Sequence, residues 1–481
     1  MKYKFKTKPY EHQEIALEKS WKRREYALFM EMGTGKSKVL IDTIAMQYDN
    51  GLIDSAVIVA PKGVYRNWET KEIPTHMPEH IEHKVYVWSP NHTKKKIEEL
   101  KEALNAQEFL RILVINVEAF STKKGVEYIR RFLNVSRSMF AVDESTTIKN
   151  ATAARTKNII KLAPLAKARR ILTGSPVTKS PLDLYSQCQF LNDWLLEQDS
   201  YYAFQNRYAI VQERTAAGGS HKYRHVMGYQ RLEELTGLLQ KFSYRVLKKD
   251  CLDLPDKIYM KRSVELTKEQ EKAYNEMKEY AMTEIENGMV TATNAVGILL
   301  RLHQIVCGHL TKQEGDKKKV IPLPNNRIDE MLNAIEEMDG KIIIWAVYVH
   351  DIETITNTLA KKFGSDSVRS YYGGTDDKER QEAIDAFTQG DARFFVSNPR
   401  TGGYGLTFAN CNNIIYYSNT YDLEVRLQSE DRTHRIGQKN MCTYVDLTCE
   451  KTVDEKIIKN LRGKINVSNK ILGEELKNWL I

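Results

Sequence analysis

Three short segments of this chain carry residue types able to bind and cleave a phosphate anhydride. Met32-Gly33-Thr34-Gly35-Lys36-Ser37 lies between an apolar run, Tyr26–Met30, and an amphipathic stretch that begins at Lys36. A glycine loop between a strand and a helix lets backbone N–H groups close on phosphate oxygens, and the helix dipole adds favourable charge. There Lys36 would reach the outer phosphates and the Ser37 hydroxyl would hold Mg2+. Met30 stands where the pattern G-x-x-x-x-G-K-[ST] has its first glycine, so a glycine turn capping an unrelated helix is the plainer alternative. The second segment, Met139–Asp143, is an apolar run that ends in Asp143-Glu144. Asp143 would bind Mg2+ through water, and Glu144 would orient and deprotonate the attacking water. Taken alone, such a pair is a solvated turn or a helix cap. Beside the phosphate loop it is the expected acidic partner, on the end of a neighbouring strand. In the third segment Gln428, Arg432 and Arg435 are spaced i, i+4 and i+7, which predicts one face of a helix. Two arginines there suit stabilisation of transition-state charge; the alternative is a solvated basic face paired with Glu430 and Asp431.

Positioning these segments requires a parallel sheet. Apolar runs at Tyr26–Met30, Ala56–Ala60, Lys84–Trp88, Arg111–Asn116, Met139–Asp143 and Arg169–Leu172 alternate with helical patterns such as Lys36–Tyr48, Lys94–Ala106 and Ala153–Leu162. Near-continuous apolar strands alternating with helices read as an α/β fold with both sheet faces covered, and ligands bind at the carboxyl ends of such strands. The rhythm returns at Lys341–Val347, Val368–Tyr371, Arg393–Val396, Asn413–Tyr417 and Met441–Asp446. The intervening residues, 191–325, read as mostly helical and charged, with loops at Ala216–Ser220 and Glu314–Lys319 and a break between helices at Leu254-Pro255. The expected domains are 1–190, 191–325 and 326–481.

Two further segments follow strands. Thr173-Gly174-Ser175-Pro176 could hydrogen-bond the acidic turn of the adjacent strand, or be a plain Gly-Pro turn. Thr401-Gly402-Gly403-Tyr404-Gly405 has three glycines within four positions, which suits close backbone approach to a phosphate chain of nucleotide or nucleic acid.

Composition sets outer limits. The 481 residues are too many for one core, and 42% hydrophobic with 28% charged residues is ordinary for a globular protein. The net charge of +9 permits a polyanionic partner without demanding one. The longest apolar run, Ile342–Val349, is far short of the roughly 20 residues that span a bilayer, so no membrane association is expected. The six cysteines are scattered without a C-x-x-C pair, as free thiols in a reducing compartment would be. His303, Cys307 and His309 lack the fourth ligand of a structural zinc site. Lys317-Lys318-Lys319 reads as a candidate for phosphate contact.

Gln13, Met32–Ser37, Ala60-Pro61-Lys62, Asp143-Glu144, Thr173–Pro176, Thr401–Gly405 and Gln428–Gln438 occur in the order of the motifs of superfamily 2 helicase-like ATPases. The sequence more closely resembles the switch/sucrose-nonfermenting (SWI/SNF) family of DNA translocases. It shares Asn67-Trp68, Ile148-Lys149-Asn150, Leu254-Pro255-Asp256-Lys257, Leu299–Leu310 and the run His434-Arg435-Ile436-Gly437-Gln438. The likeness runs from about residue 8 to 460. It implies two RecA-like lobes, P-loop NTPase in type, with a helical insert, ATP in the cleft between the lobes and nucleic acid across both. By the same resemblance Gln13 reads adenine. Met32, Gly33, Thr34, Gly35, Lys36 and Ser37, with Gly403 and Gly405, bind the nucleotide. Ser37 and Asp143 would hold Mg2+. Lys36, Asp143, Glu144, Gln428, Arg432 and Arg435 would carry catalysis, and Pro61, Lys62, Thr401 and Gly402 would line the DNA track. Ser145-Thr146 replaces the family's usual Ala-His, Tyr421-Asp422-Leu423 stands for Trp-Asn-Pro, and Ser175 replaces a threonine.

The expected function is a DNA-stimulated ATPase that translocates on duplex or branched DNA. It would act as a monomer in the cytoplasm of a prokaryotic or phage-infected cell, without chromatin-reading or nuclease domains of its own. A strand-separating helicase shares every motif, and a non-hydrolysing nucleotide-gated clamp is the rival from another class. A small-molecule P-loop kinase would not need the second α/β lobe.

Overall fold

In a computed structural model, residues 3–62, 65–89, 93–106, 108–215, 222–251, 253–286, 292–314, 317–375, 377–403 and 406–471 are described. They form two compact units: Met1–Val211 with Val226–Asp253 and Lys464–Ile481, and Gln212–His225 with Leu254–Gly463.

In the first unit the predicted strands form as β1 (Glu25–Met30), β2 (Ser55–Ala60), β3 (His83–Val87), β4 (Leu110–Asn116), β5 (Ser138–Asp143) and β6 (Ala168–Leu172). Two strands that pair with each other, β7 (Ala209–Thr215) and β8 (Lys222–Tyr229), are divided between the units, and β9 (Ser243–Val246) follows in the first. The sheet order is β3-β4-β2-β5-β6-β1-β9, and its strand pairs run parallel. Alternate residues of each strand enter two separate cores. Phe29, Val57, Val59, Phe140 and Val142 lie in one, and Leu28, Met30, Ile58, Met139 and Ala141 in the other. That is why these strands read as unbroken apolar runs rather than as alternating ones.

The second unit repeats the plan with β10 (Lys257–Ser263), β11 (His309–Glu314), β12 (Lys317–Pro322), β13 (Ile342–Trp345), β14 (Val368–Tyr371), β15 (Phe394–Ser397), β16 (Asn413–Tyr416) and β17 (Cys442–Thr448). Its sheet is ordered β10-β17-β16-β13-β15-β14. The two faces again bury different sets, Ile342, Ile344 and Val396 on one side and Ile343, Trp345 and Phe395 on the other.

Three local expectations change. The stretch 191–325 carries strands as well as helices, because β9 and β10 extend the first and second sheets. Leu254-Pro255 leads into β10 rather than into a helix. Of Glu314–Lys319, the ends fall in an antiparallel ribbon, with Lys312 opposite Lys319 and Glu314 opposite Lys317, and 315–316 lie outside the described residues. Short polar strands of a two-stranded ribbon have no apolar periodicity to show, so composition reads them as loop. Ala216–Ser220 lies outside the described residues. Among the described residues no helix is long and apolar enough to cross a membrane.

Buried charge, invisible in any periodicity, secures the second unit. Arg327 is fully buried and donates to the carbonyls of Tyr417 (2.5 Å) and Leu447 (3.1 Å) and to the Asp454 carboxylate. It thereby pins the helix Arg327–Glu336 to the ends of β16 and β17. His303 meets Tyr348 (2.9 Å) and Asp454 (3.5 Å), and His309 meets Asp351 (3.1 Å). Among the described residues no group of three or more His, Cys, Asp or Glu is arranged to hold a metal. Breaking a buried pair by removing one partner typically costs about 3–5 kcal/mol, because the other charge stays buried. Arg327→Met should therefore lower the urea-unfolding stability of this unit by about that amount. Combining it with Asp454→Leu removes the unpaired charge and should recover part of the loss, the Tyr417 and Leu447 carbonyls still lacking their donor, as followed by circular dichroism.

Candidate nucleotide site and its neighbours

In the first unit the carboxyl ends of the parallel strands carry the candidate residues. β1 runs into the loop Met32–Gly35, and the helix Lys36–Asp49 starts immediately after it. Gly33 (φ 81°) and Gly35 (φ 87°) take left-handed backbone angles that suit glycine. No side chain caps this helix, so its first backbone N–H groups remain for an anion. Thr34 closes the loop by donating through N (3.2 Å) and Oγ1 (2.6 Å) to the Glu31 carbonyl, to which Lys36 Nζ also donates at 3.4 Å.

The helix Glu11–Ser20 braces the loop. Gln13 Nε2 donates to the Thr34 carbonyl at 3.0 Å, and the Gln13 Oε1 accepts from the Tyr10 backbone N–H at 3.0 Å. His12 Nε2 meets the same Thr34 carbonyl at 2.8 Å. A Cβ on Gly35 would stand 2.1 Å from Gln13 Nε2 and displace that amide, while the glycine's own φ of 87° is what disfavours any side chain there. Gln13, expected to read adenine, is thus bonded to the phosphate loop itself. Beside it, Tyr10 stacks on His12 (5.8 Å, 7° between planes) at the edge of a cleft of about 780 Å3, also lined by Tyr244, Arg245 and Lys249. The brace is anchored by Arg170 of β6. Its guanidinium donates to the carbonyls of Ser20 (2.8 Å), Arg23 (2.7 Å) and Arg24 (3.0 Å) behind that helix. Burial lowers its pKa to about 10.

The order β5-β6-β1 corrects one expectation. The acidic turn is not on the strand next to the phosphate loop, because β6 lies between β5 and β1. Asp143 Oδ2 accepts from Trp68 Nε1 at 3.1 Å and Oδ1 from the Glu144 backbone N–H at 3.0 Å. Burial pushes the Asp143 carboxyl above its ordinary range, and the nearby Lys36 ammonium offsets that only in part. Glu144 has left-handed backbone angles (φ 48°, ψ 60°), a conformation seldom adopted by a non-glycine residue. Lys36, Ser37 and Asp143 offer an ammonium, a hydroxyl and a carboxylate near uncapped amides. That donor set fits a nucleotide triphosphate with a hard, oxygen-preferring cation such as Mg2+.

Between them, β6 ends in Thr173–Pro176. Thr173 Oγ1 accepts from the Ser175 N–H of its own loop (3.1 Å), and among the described residues the link from this loop to the acidic turn runs through Gln187 instead. Gly174 packs on the phosphate loop, where a Cβ would stand 3.1 Å from the Met32 nitrogen. Arg245 of β9 donates to the Gly174 carbonyl at 2.8 Å. Pro61 is buried and Lys62 exposed at the end of β2. Trp68, Arg245, Glu31 and Arg170 support this site, yet none has a local sequence signal beyond Trp68's place in the Asn67-Trp68 pair.

In the second unit the helix carrying Gln428 spans Leu423–Glu430 and stops there. Arg432 and Arg435 therefore lie on turns rather than on a helical face, and a different device brings them together. Arg432 Nη1 (3.0 Å) and Arg435 Nη1 (3.3 Å) both donate to the Leu406 carbonyl, and Arg432 Nε donates to the Gln428 carbonyl at 2.9 Å. Gln428 is buried, and its Nε2 donates to Glu424 Oε1 at 3.3 Å. The Glu430 carboxylate accepts from Arg426 Nε (2.8 Å), Lys257 Nζ (3.1 Å) and the Tyr259 hydroxyl (2.7 Å). Arg426 also donates to Asp446 at 2.5 Å and lies 3.5 Å over the Tyr416 ring. Two of the family-like runs meet here, since His434 Nε2 bonds the Pro255 carbonyl at 2.8 Å.

Thr401 and Gly402 end a four-residue helix after β15. A Cβ on Gly402 would stand 2.8 Å from the Trp345 ring, and one on Gly403 2.1 Å from the Pro399 carbonyl. Packing therefore supplies a reason for both glycines independent of any phosphate. Tyr404 and Gly405 lie outside the described residues.

Residues 12–310 match the profile of the SNF2-related domain, and residues 325–437 that of the helicase conserved C-terminal domain. Among curated proteins, the ATP-dependent helicase/translocase YwqA of Bacillus subtilis is 24% identical over 376 residues, 76% of this chain and 39% of that protein. The DNA repair and recombination protein RDH54 of Saccharomyces cerevisiae is 23% identical over 406 residues, 79% of this chain and 41% of that protein. The chain thus spans about two fifths of the length of these relatives. A solved structure, the Sulfolobus solfataricus SWI2/SNF2 ATPase core in complex with dsDNA, is 21% identical and covers 99% of each chain with a TM-score of 0.43. The first profile spans more than half of the residues and holds the phosphate loop, the acidic turn and the Thr173 loop, while the second holds Gln428, Arg432 and Arg435. On that ground the chain belongs to the SNF2-related family of helicase-like ATPases.

Proposed function

We propose that this protein hydrolyses ATP in response to duplex or branched DNA and uses the cycle to move along the duplex. The observation that carries the reading is the first unit's strand-end cluster. Uncapped helix amides and Lys36 follow the end of β1, and Asp143 ends β5 at the same edge of the sheet, two strands away. The family membership supports the same reading, as do the names of the relatives, a helicase/translocase and a DNA repair protein.

Bound Mg2+ would offset phosphate charge and be held by Ser37 and, through water, Asp143. The chain's own contribution is then positional and electrostatic. The loop amides and Lys36 cradle the phosphates, with Met32, Gly33, Thr34 and Gly35 supplying backbone. Tyr10 and His12 offer a stacking surface beside Gln13 for the base. Glu144 orients a water and takes its proton. Arg432 and Arg435 supply positive charge for the transferring phosphoryl group, and each exchanges its Leu406 carbonyl bond for a phosphate oxygen in doing so. Pro61, Lys62, Thr401 and Gly402 serve the DNA path.

Glu144→Gln should keep ATP and DNA binding but lower turnover by about 10²–10⁴. Arg432→Ala should lower kcat by roughly 10³ with little change in DNA affinity. Steady-state ATPase assays alongside filter binding or anisotropy test both. Duplex affinity should fall linearly on a log–log plot against salt, with a slope of about 0.9 per neutralised phosphate. ATP turnover that is indifferent to added DNA or RNA would sink the proposal. Forked-duplex unwinding without triplex displacement would replace translocation with strand separation.

A further inference from the structure

The acidic turn is a strained element held from outside by a buried amide that the chemistry above does not use. Glu144 keeps its left-handed conformation (φ 48°, ψ 60°) while its N–H is bonded to Asp143 Oδ1 at 3.0 Å and its carbonyl to Thr147 N at 2.9 Å. The next residue, Ser145, is fully buried, and its Oγ donates to Gln187 Oε1 at 2.7 Å. Gln187 lies on the helix Leu184–Leu191 and is also fully buried. Its Nε2 donates to the Pro176 carbonyl at 2.8 Å and to the Asp183 carbonyl at 2.7 Å. One side chain thus joins the acidic turn of β5 to the Thr173–Pro176 loop of β6.

A second bridge runs parallel to the first. Lys149 Nζ donates to Thr178 Oγ1 at 2.6 Å, and Ser186 Oγ to the Lys149 carbonyl at 3.3 Å. The receiving loop is itself rigid. Asp183 Oδ2 accepts from Thr178 N (2.9 Å), Thr178 Oγ1 (3.1 Å) and Lys179 N (2.7 Å). The turn is therefore tied at both ends, near Ser145 and at Lys149, to residues 176–187.

A buried primary amide is costly unless both its donors and its acceptor are satisfied. Here each is spent on this link. Gln187 reaches the phosphate loop only indirectly, by way of the Thr173–Pro176 loop, whose Gly174 packs on Met32. We infer that Gln187 is a positioning residue for Glu144: its amide holds the strained acidic turn in register with the Thr173–Pro176 loop, so that the carboxylate meets its water in one geometry. This inference rests on the ATPase reading given above. It also accounts for the serine that follows Glu144, since an alanine there would leave Gln187 Oε1 without its donor.

The test uses the full chain with Gln187→Leu, Ser145→Ala and the double variant, measuring kcat and KM for ATP, thermal midpoint, and amide hydrogen exchange of residues 144–148. Gln187→Leu should lower kcat about 10–100-fold, the scale of a small misplacement of a reacting group. KM for ATP should stay within about twofold, since the phosphate loop keeps its bonds. In the double variant the Ser145 hydroxyl and the Gln187 amide are both gone and only the Pro176 and Asp183 carbonyls lose a donor, so the thermal midpoint should return part of the way to that of the parent while kcat stays low. A kcat unchanged in Gln187→Leu, or one recovering in step with the thermal midpoint in the double variant, overturns the inference. If the parent protein hydrolyses no ATP, the ATPase reading fails instead. Amide exchange then decides the clamp alone: faster exchange at 144–148 in Gln187→Leu supports it, and unchanged exchange rejects it.

Discussion

Parallel pairing in fixed register is the constraint on which the first unit depends. Leu172, the end of β6, pairs with Asp143, the end of β5, on one side and with Leu28 of β1 on the other, so β5 and β6 end level and β1 ends two residues beyond them at Met30. Chain leaving β1, β5 and β6 must then turn at the same edge, and there lie the phosphate loop, the acidic turn and the Thr173–Pro176 loop. A slip of one residue in any of these strands would exchange its two buried faces. Because separate cores cover both faces, the register is held by apolar packing far from the reactive groups. A chemically demanding edge is thereby specified by chemically undemanding residues.

Buried polar links then set the angles that packing leaves open. In the first unit Arg170 fixes the end of the helix that carries Gln13, and Gln13 in turn fills the space above Gly35. In the second unit Arg426 gathers Glu430 and Asp446, and Arg327 gathers Asp454 and two strand-end carbonyls. Such charges cost desolvation and need several partners each, so they define geometry more than they add net stability. Arg432 and Arg435 share the Leu406 carbonyl, a single acceptor that holds both guanidinium groups at one place without a helix to align them.

The strands are legible in the sequence because β-branched and aromatic runs of four to eight residues, bounded by polar turns, suit a buried strand far better than a helix of ordinary length. The phosphate loop and the acidic turn are legible because their chemistry needs particular residue types at particular places. The ribbon strand Lys317–Pro322 is not, since its alternation is weak, and neither is the end of the helix at Glu430. There Asp431 to Thr433 continue in tight turns whose local spacing resembles helix. The glycines at 402 and 403 show the converse. Their residue type suits phosphate chemistry, but the Trp345 ring and the Pro399 carbonyl already require them.

By itself the sequence determined the α/β class, most strands of the two main sheets and the family, and it named the candidate residues for handling phosphate. Each of these follows from local pattern and from side-chain chemistry at fixed spacing. Only the tertiary structure decided that β6 separates the acidic strand from the phosphate loop, that Gln13 bonds Thr34, that two arginines converge on Leu406, and that Gln187 bridges two loops. These are contacts between residues distant in sequence, set by strand order and by the need of every buried polar atom for a partner. Neither condition leaves a trace in the local run of residues.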